Sequence, residues 1–294
     1  MSLQARLKNG FHKGSNLPEL PEVETNIRLI RPFIWGSHIL GFVQSKAGRQ
    51  PEVSNPQLRG QAVHHVGRWG KYIIFKLGNG YLISHLRMTG QWHFTPVGCP
   101  TPYTEPHFRW AMTISDQENS FSGFLWFRDA RRFGTLDWTP TLSEYKPFSN
   151  LGPDGLTLDD PKVIFGVIAQ AAKSRRPIKN FLLDQSVIAG CGNIYCSEIL
   201  FELGVDPTTR TMDLGAAHIE ELCLGLHQLF VRAIEQGGSS VSDYLGGRYH
   251  ELLKVYKRDG EPCFSCGATI KRMVQAGRST FYCPKCQGVG NEYV

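Results

Sequence analysis

The 294 residues of this chain, 41% of them hydrophobic and 20% charged, suffice for two folded domains, each with its own core. No apolar run approaches the roughly 20 residues needed to cross a bilayer, and residues 1–16 lack the apolar segment of a secretory signal. The composition therefore predicts a soluble intracellular protein, and the net charge of +6 favours an anionic partner.

The first predicted element is a helix. Apolar Val23, Ile27 and Ile30 recur on one helical face, and Pro21 suits a first helical turn. Because an interior proline breaks the hydrogen-bond ladder, we expect this helix to end at Pro32.

The next hundred residues are predicted to be mostly strands. The segments KYIIFKL and YLISHL are joined by Gly78-Asn79-Gly80, a hairpin signal. The segments RWAMTI and GFLWFRD form a second pair, and RRFGTLDW follows after a tight polar turn. Short strands separated by turn signals predict a β-sandwich.

After residues 139–160, a linker rich in Pro, Gly, Ser and Asp, the pattern becomes helical. The segment AGCGNIYCSE places Gly190 and Gly192 directly before a helix that begins at Asn193. With PIKNFLLDQ upstream, it predicts a helix, two turns and a helix. The free N–H groups at such a helix start attract anions, although an ordinary helix–helix corner has the same pattern.

The eight cysteines fall into two groups. Cys263, Cys266, Cys283 and Cys286 are spaced Cys-x2-Cys-x16-Cys-x2-Cys, which predicts one tetrahedral zinc in a ribbon. All four ligand positions are filled, so the zinc is expected to be structural. Two disulfides are the alternative, and they are disfavoured because nothing indicates secretion. Cys99, Cys191, Cys196 and Cys223 are expected to be free thiols.

Several further residues allow both a functional and a plain structural interpretation. Lys71 begins a predicted strand, while Met88, Arg131 and Phe133 lie at strand ends, where apolar residues are often core. Arg278 lies between the two cysteine pairs, where an arginine can hold a phosphate or remain solvated. Residues 254–294 carry seven Lys or Arg against three Asp or Glu, a candidate contact surface for an anion.

Together these motifs resemble the formamidopyrimidine-DNA glycosylase/endonuclease VIII family, and more closely its formamidopyrimidine branch. PELPEVET, SHLRMTG, RRFG, GNIYCSE and the four-cysteine ribbon occur in the family's order from Pro18 to about Gln287. The resemblance implies an α+β multidomain fold. Its parts are an N-terminal β-sandwich with flanking helices, a helix-two-turn-helix domain and a C-terminal zinc-ribbon β-hairpin with one structural Zn²⁺.

From the resemblance and the composition we expect five segments. They are a leader at 1–17 that is absent from the active protein, a catalytic domain at 18–138, a linker at 139–160, a helix-two-turn-helix domain at 161–250 and a zinc ribbon at 251–294.

The resemblance also implies a bifunctional DNA glycosylase/AP lyase of base-excision repair. Such an enzyme excises oxidised purines, namely formamidopyrimidines and 8-oxoguanine, and then cuts the strand by β,δ-elimination. Its partner would be double-stranded DNA with oxidised bases or abasic sites. We expect a monomer that does not bind membranes and acts in the cytoplasm, at the nucleoid.

Site residues follow from the matching motif positions. The catalytic residues implied are Pro18 as the amine nucleophile, Glu19 as its acidic neighbour, Glu22 as a further carboxylate, and Lys71. The residues implied to hold DNA phosphates are Lys71, Asn193 and Arg278. Those implied to fill the gap left by the extruded nucleotide are Met88, Arg131 and Phe133.

Two departures from the family pattern bear on activity. The segment 246–251 is shorter than expected for a full flap over 8-oxoguanine, so ring-opened purines are the safer substrate. An endonuclease VIII-type preference for oxidised pyrimidines is the alternative.

The second departure concerns Pro18, which follows Leu17 and is therefore a tertiary amide unable to form a Schiff base. In the preferred hypothesis, Leu17 is encoded by a TTG or CTG start codon, read as Met and then removed. Proteolysis is the second hypothesis, and a catalytically inactive damaged-DNA-binding protein is the third.

Overall fold

The computed structural model describes residues 18–46, 55–116, 120–238 and 249–288. The leader at 1–17 and part of the short segment 246–251 lie outside these ranges. The helices are α1 (Leu20–Ile34), α2 (Asn55–Leu58), α3 (Pro161–Ala171), α4 (Ile178–Leu182), α5 (Asn193–Glu202) and α6 (Ala216–Glu235). The strands are β1 (Ile39–Gln44), β2 (Val63–Trp69), β3 (Tyr72–Leu77), β4 (Gly80–His85), β5 (Gly90–Pro96), β6 (Phe108–Ser115), β7 (Phe121–Asp129), β8 (Thr135–Thr139), β9 (Lys271–Gln275) and β10 (Arg278–Tyr282).

The predicted β-sandwich is confirmed. One four-stranded sheet has the order β1-β6-β7-β5 and the other the order β2-β3-β4-β8, with antiparallel neighbours throughout. The predicted hairpin is the β3–β4 pair, in which Leu77 faces Gly80. The second predicted pair is β6–β7. Buried Phe75, Trp92, Trp110 and Phe127 pack in the core of the sandwich.

Helix α1 continues past the predicted end at Pro32, so that prediction was wrong by two residues. Pro32 lies in the last turn, where a missing N–H removes a single intrahelical hydrogen bond. The Trp35 N–H still donates to the Arg31 carbonyl at 3.1 Å. Ile34 is fully buried in the sandwich core, and this packing holds the final turn in place.

Helix α1 belongs to both large cores of the molecule. Val23, Ile27 and Ile30, the predicted apolar stripe, lie in the sandwich core. One turn earlier, Leu20 packs instead with the helices α3–α6, where it contributes to the helical core. The first turn of α1 therefore lies at the junction of the two domains.

The helical domain and the C-terminal hairpin also share a core. Phe201 from the end of α5 packs with Val255, Ile270 and Phe281, beside the cysteines of the hairpin β9–β10. In the hairpin, Lys271 pairs with Tyr282 and Gln275 with Arg278. Among the residues that the structure describes, no helix is both long and apolar enough to cross a membrane.

A buried ion pair links the sandwich to the segment that precedes the helices. The Arg68 guanidinium donates to the two carboxylate oxygens of Asp154 at 2.5 and 2.9 Å. Asp154 also accepts hydrogen bonds from the backbone N–H groups of Gly70 at 2.7 Å and Leu156 at 3.0 Å. Removing one partner of such a pair leaves an uncompensated charge in a poorly solvated place.

We predict that Asp154→Asn lowers the free energy of unfolding by about 2 kcal/mol, because Arg68, whose side chain is only 5% exposed, loses the charged partner that accepts two of its hydrogen bonds and keeps the more distant Glu24 carboxylate at 3.4 Å. The matched control is Asp159→Asn, since the Asp159 side chain is 59% exposed; its expected change is below about 0.5 kcal/mol. Urea unfolding monitored by circular dichroism measures both. Equal effects in the two variants would contradict the prediction.

Candidate active site and DNA interface

The residue after Pro18 caps helix α1. Glu19 is the N-cap residue, and its backbone N–H donates to the Glu22 carboxylate at 2.9 Å. This capping box satisfies N–H groups that the helix itself leaves free. Pro18, which precedes Glu19 directly, is half-buried.

The side chain of Glu19 is buried against the start of another helix. Its two carboxylate oxygens accept hydrogen bonds from the backbone N–H groups of Ile194 at 2.9 Å and Tyr195 at 3.4 Å, in the first turn of α5. The Leu20 N–H donates to the Gly190 carbonyl at 3.2 Å. A Cβ at Gly192 would overlap the Glu19 carboxyl, so only glycine permits this approach.

The surroundings of Glu19 suit an acid that works near neutral pH. Burial raises the pKa of Glu19 to about 7, because a carboxylate loses hydration in the interior. Lys71 and the two α5 amides act in the opposite direction, and the nearby charge of Glu22 adds to the increase. A carboxylic acid with such a pKa can both donate and accept a proton at physiological pH.

Glu22 is also held by the helical domain. The Tyr195 hydroxyl donates to the Glu22 carboxylate at 2.8 Å, and both side chains are buried. Tyr195 therefore contacts both acidic residues, Glu19 through its backbone and Glu22 through its side chain. Tyr195 is not among the residues predicted from the sequence, because no local pattern distinguishes it from the other residues of GNIYCSE.

Lys71 lies beside the acid pocket, which we define as the buried Glu19 carboxyl and the Ile194 and Tyr195 N–H groups that bind it. It follows Gly70, whose backbone has a positive φ of 57° and whose Cβ position would lie 3.2 Å from the Gly190 nitrogen. The electrostatic attraction of Lys71 for Glu19 places their charges in one site. Two chain segments separated by more than fifty residues thus meet around Glu19.

A second cluster connects the helical domain to the hairpin. Lys179 is fully buried, and its ammonium donates to the Ser279 carbonyl at 3.0 Å and to the Thr280 hydroxyl at 2.6 Å. Burial lowers the pKa of Lys179 to about 8. The Asn193 side-chain amide donates to the same Ser279 carbonyl at 2.9 Å. Arg278, the exposed residue that precedes Ser279, is therefore held next to the start of α5.

Lys179 is not among the site residues predicted from the sequence. It lies within PIKNFLLDQ, and the only signal was a lysine among apolar residues of a short helix.

Two loops of the sandwich carry the three residues expected to enter the DNA stack. Asp129, fully buried, accepts hydrogen bonds from the Thr89 hydroxyl, from the Arg131 N–H at 3.1 Å and from the Gly134 N–H at 2.7 Å. The loop that contains Met88 is thereby joined to the loop that contains Arg131 and Phe133.

The tips of these loops differ in exposure. The Phe133 side chain is 54% exposed, and the Arg131 guanidinium lies 5.8 Å from its ring centroid. Met88 is half-buried. An exposed aromatic ring on a braced loop has the chemistry of a side chain that inserts between bases.

The four predicted zinc ligands form one cluster. Their sulfur atoms lie within 4.8 Å of one another, with 3.8 Å between Cys263 and Cys286 and 3.4 Å between Cys266 and Cys283. A zinc tetrahedron with bonds of about 2.3 Å has S···S edges of about 3.8 Å. The donor set therefore fits one structural Zn²⁺, with no ligand position left for water.

Comparisons with known proteins match the three parts of the chain in order. Residues 17–136 match the formamidopyrimidine-DNA glycosylase N-terminal domain, and residues 151–244 match the H2TH domain of the same glycosylases. Residues 260–289 match the zinc finger found in FPG and IleRS.

Related proteins and solved structures match this chain over nearly its whole length. A formamidopyrimidine-DNA glycosylase of Herminiimonas arsenicoxydans is 34% identical and one of Escherichia coli O7:K1 is 36% identical; each match covers 92% of this chain and 100% of the relative. A structure of MutM with DNA containing carbocyclic 8-oxo-G has a TM-score of 0.80 at 33% identity. Lactococcus lactis Fpg with DNA containing N7-benzyl-Fapy-dG has a TM-score of 0.81 at 34% identity. These two matches each cover 92% of this chain and 99% of the other.

The protein is a DNA-repair glycosylase by its fold and its site. It combines a β-sandwich, a helix-two-turn-helix domain and a four-cysteine hairpin with the buried carboxyl of Glu19. The chain belongs to the formamidopyrimidine-DNA glycosylase family. It is an enzyme of base-excision repair, with the glycosylase and AP lyase activities of that family, and its binding partner is DNA.

We predict that Cys283→Ser lowers zinc content and weakens binding to a lesion-containing duplex by at least about tenfold, because the zinc cluster shares its core with the hairpin that holds Arg278. Metal analysis and fluorescence anisotropy at fixed salt measure the two effects. Cys99→Ser, at an exposed cysteine outside the cluster, is the control and should retain both properties. Full DNA affinity in a zinc-free Cys283→Ser protein would refute the expected coupling.

Proposed function

We propose that this chain excises formamidopyrimidines, and also 8-oxoguanine, through a Schiff base on Pro18, with Glu19 as the acid. The observation that carries the proposal is the burial of Glu19, next to Pro18, against the first turn of α5 with its pKa raised to about 7. That pairing supplies an amine and a proton donor on adjacent residues. Glu22 and Tyr195 hold the backbone and pocket around them.

The first step replaces the bond to the damaged base. The Pro18 nitrogen attacks C1′ of the deoxyribose, a C–N bond forms, and the bond from C1′ to the base breaks. The base leaves with the electron pair of that bond and is neutralised by the proton that the amine releases. Protonated Glu19 gives its proton to the ring oxygen of the sugar, so that the ring opens and an iminium forms. The negative charge that remains on Glu19 is stabilised by the Ile194 and Tyr195 N–H groups and by Lys71.

The second step cuts the strand. The iminium withdraws electrons from the adjacent carbon, so a proton leaves C2′ and the 3′ phosphate departs by β-elimination. Loss of the 5′ phosphate by δ-elimination follows, and hydrolysis then frees the amine. Each phosphate leaves with the electron pair of its C–O bond, and no redox partner is required.

This chemistry requires a free amine at Pro18. We therefore propose that the active form begins at Pro18, whether through a start at Leu17 or through proteolysis. The family match that begins at residue 17 supports this boundary. An α-amino group with a pKa near ~8 has a useful neutral fraction at physiological pH.

DNA is held by groups that surround the acid pocket. We propose that Lys71, Asn193 and Arg278 contact phosphates beside the lesion. Two observations support these contacts. Lys71 attracts the Glu19 carboxylate electrostatically, and the Asn193 side chain donates a hydrogen bond to the Ser279 carbonyl, next to Arg278 in the hairpin. In the expected extrusion, Met88, Arg131 and Phe133 fill the vacated stack, which offsets an unstacking cost of a few kcal/mol.

We infer the lesion preference from the names of the related proteins and from the DNA in their solved structures. The curated proteins are named formamidopyrimidine-DNA glycosylases, and solved structures of related proteins contain 8-oxo-G, Fapy-dG or abasic-site DNA. These names support oxidised purines over oxidised pyrimidines. Bacterial relatives and a DNA substrate also support the cytoplasm as the site of action.

Borohydride trapping tests the nucleophile. We expect a chain that begins at Pro18 to form a covalent adduct with a formamidopyrimidine duplex, and peptide mass spectrometry to place the adduct on Pro18. The 294-residue chain that retains Leu17 is the matched control, because its Pro18 nitrogen is an amide and should give no adduct.

Three outcomes of this assay would contradict the proposal. No adduct after confirmed exposure of Pro18 would indicate a DNA-binding protein without catalysis. An adduct on another residue would refute Pro18 as the nucleophile. Faster trapping on a thymine glycol duplex than on the formamidopyrimidine duplex would refute the purine preference.

The pH dependence tests Glu19. Base removal needs a protonated Glu19, whose pKa is about 7, and a neutral Pro18 amine, whose pKa is near ~8. We therefore expect the single-turnover rate of base removal to rise with pH up to about 7, to level off between about 7 and 8, and to fall above about 8 because Glu19 loses its proton. Glu19→Gln cannot donate this proton and should lower that rate by about 10²-fold or more. Cleavage of a preformed abasic site should be less affected, because its open-chain aldehyde form reacts with the Pro18 amine without protonation of a ring oxygen. Exposed Glu144→Gln is the control, and an equal loss in it would contradict the assignment.

A further inference from the structure

Two cysteines that the catalytic scheme does not use lie in contact behind the acid pocket. The sulfur atoms of Cys191 and Cys196 are 3.2 Å apart, and both residues are fully buried. The remaining cysteines outside the zinc cluster are exposed Cys99 and buried Cys223, which lies in α6. In the sequence these four cysteines are scattered and are expected to be free thiols, since residues 191 and 196 become neighbours only when the chain turns into α5.

The pair brackets the groups that hold Glu19. Cys191 directly precedes Gly192, the N-cap residue of α5, and the Cys196 N–H donates to the Gly192 carbonyl at 3.0 Å. Between the two cysteines lie Ile194 and Tyr195, whose N–H groups bind Glu19. A new bond between the cysteines would therefore close a small ring around the amide pocket.

Charged residues of the site act on both sulfur atoms. Glu19 and Lys71 interact electrostatically with Cys191, whereas Lys179 attracts Cys196. Burial raises the pKa of the Cys191 thiol, and the Cys196 sulfur and the Glu19 carboxylate add to that increase. Because Lys179 lies within electrostatic range of Cys196, whereas Cys191 is held as the thiol, we assign Cys196 as the attacking sulfur and Cys191 as the thiol that completes the reaction.

We propose that Cys191 and Cys196 are an oxidative modification site, a dithiol that hydrogen peroxide converts to a disulfide, and that the disulfide lowers glycosylase activity. The second part rests on the proposed role of Glu19. Because the pair is fully buried, only a small neutral oxidant of the peroxide class can reach it.

The reaction balances in two steps. The Cys196 sulfur attacks hydrogen peroxide, an S–O bond forms, the O–O bond breaks, and the released hydroxide takes the proton of the Cys196 thiol and leaves as water. The Cys191 sulfur then attacks the sulfenic acid, an S–S bond forms, the S–O bond breaks, and a second water leaves. The two thiols together lose two electrons and two protons, and one peroxide becomes two waters.

The geometric consequence falls on the acid pocket. A disulfide has an S–S distance of about 2.05 Å, so the sulfur atoms, now 3.2 Å apart, must approach by more than an ångström. Gly192 packs against the Glu19 carboxyl without room for a Cβ, so movement of the chain there displaces the acid. Misplacement of about 1 Å can lower a catalytic rate by about 10²-fold.

The test uses the zinc-loaded protein that begins at Pro18, treated with increasing hydrogen peroxide. We expect mass spectrometry to find a peptide that contains both cysteines and is lighter by two hydrogens. The single-turnover excision rate should fall by at least about tenfold and recover with dithiothreitol. Zinc content is measured in the same samples, since oxidation of the zinc cysteines would also inactivate the enzyme.

Variants separate this site from other thiols. For Cys191→Ala and Cys196→Ala, the ratio of the oxidised to the reduced rate should stay near one while zinc is retained, whereas Cys99→Ala should remain as sensitive as the parent. The proposal is overturned if peroxide that oxidises Cys99 leaves the pair reduced, if the disulfide forms without a change in rate, or if Cys191→Ala is still inactivated with its zinc in place. The disulfide is detected by mass spectrometry and needs no activity measurement. If the reduced protein fails to excise bases, that result therefore refutes the proposed function and not the formation of the disulfide.

Discussion

The burial of one carboxyl group between two domains is the constraint on which the rest of the structure depends. Glu19 is supplied by the first turn of α1, but its hydrogen-bond donors are the first amides of α5, which lies more than 170 residues away in the chain. A buried carboxyl is costly to ionise, and the α5 amides and Lys71 offset part of that cost. The result is an acid that is balanced near neutral pH, at the junction where both hydrophobic cores meet.

Two groups of polar contacts lie on either side of this junction and hold its parts together. Arg68 and Asp154 hold the turn before Lys71 against the segment that leads into the helices. On the opposite side, Lys179 and Asn193 bind the hairpin through the Ser279 carbonyl. Small displacements in either contact would move charges relative to Glu19. The zinc cluster therefore contributes to the site through its position, since its cysteines and Phe201 of α5 share one small core.

The dithiol adds a chemical consequence to this dense packing. Gly192 packs so closely against the Glu19 carboxyl that no Cβ fits between them. A disulfide would bring the two sulfur atoms closer by more than an ångström, and such a tightly packed region has little room to adjust. Cys191 and Cys196 lie on both sides of the two amides that bind Glu19. Oxidised bases arise under the same conditions that oxidise thiols, so an enzyme that removes such bases would carry within its own site a group sensitive to those conditions.

Periodicity, turn residues and cysteine spacing by themselves determined several local elements of this protein. They predicted the stripe of Val23, Ile27 and Ile30, the β3–β4 hairpin and the zinc cluster, because each depends on residues close in the sequence. The resemblance to a family then assigned roles to scattered residues such as Lys71. Only the tertiary structure decided which of them meet. The end of α1 beyond Pro32 depends on core packing, and the pairing of Cys191 with Cys196 and of Lys179 with the hairpin depends on contacts that no local pattern encodes. Likewise, the pKa of Glu19 is set by burial between two domains, a property of the folded chain that the sequence of one helix does not contain.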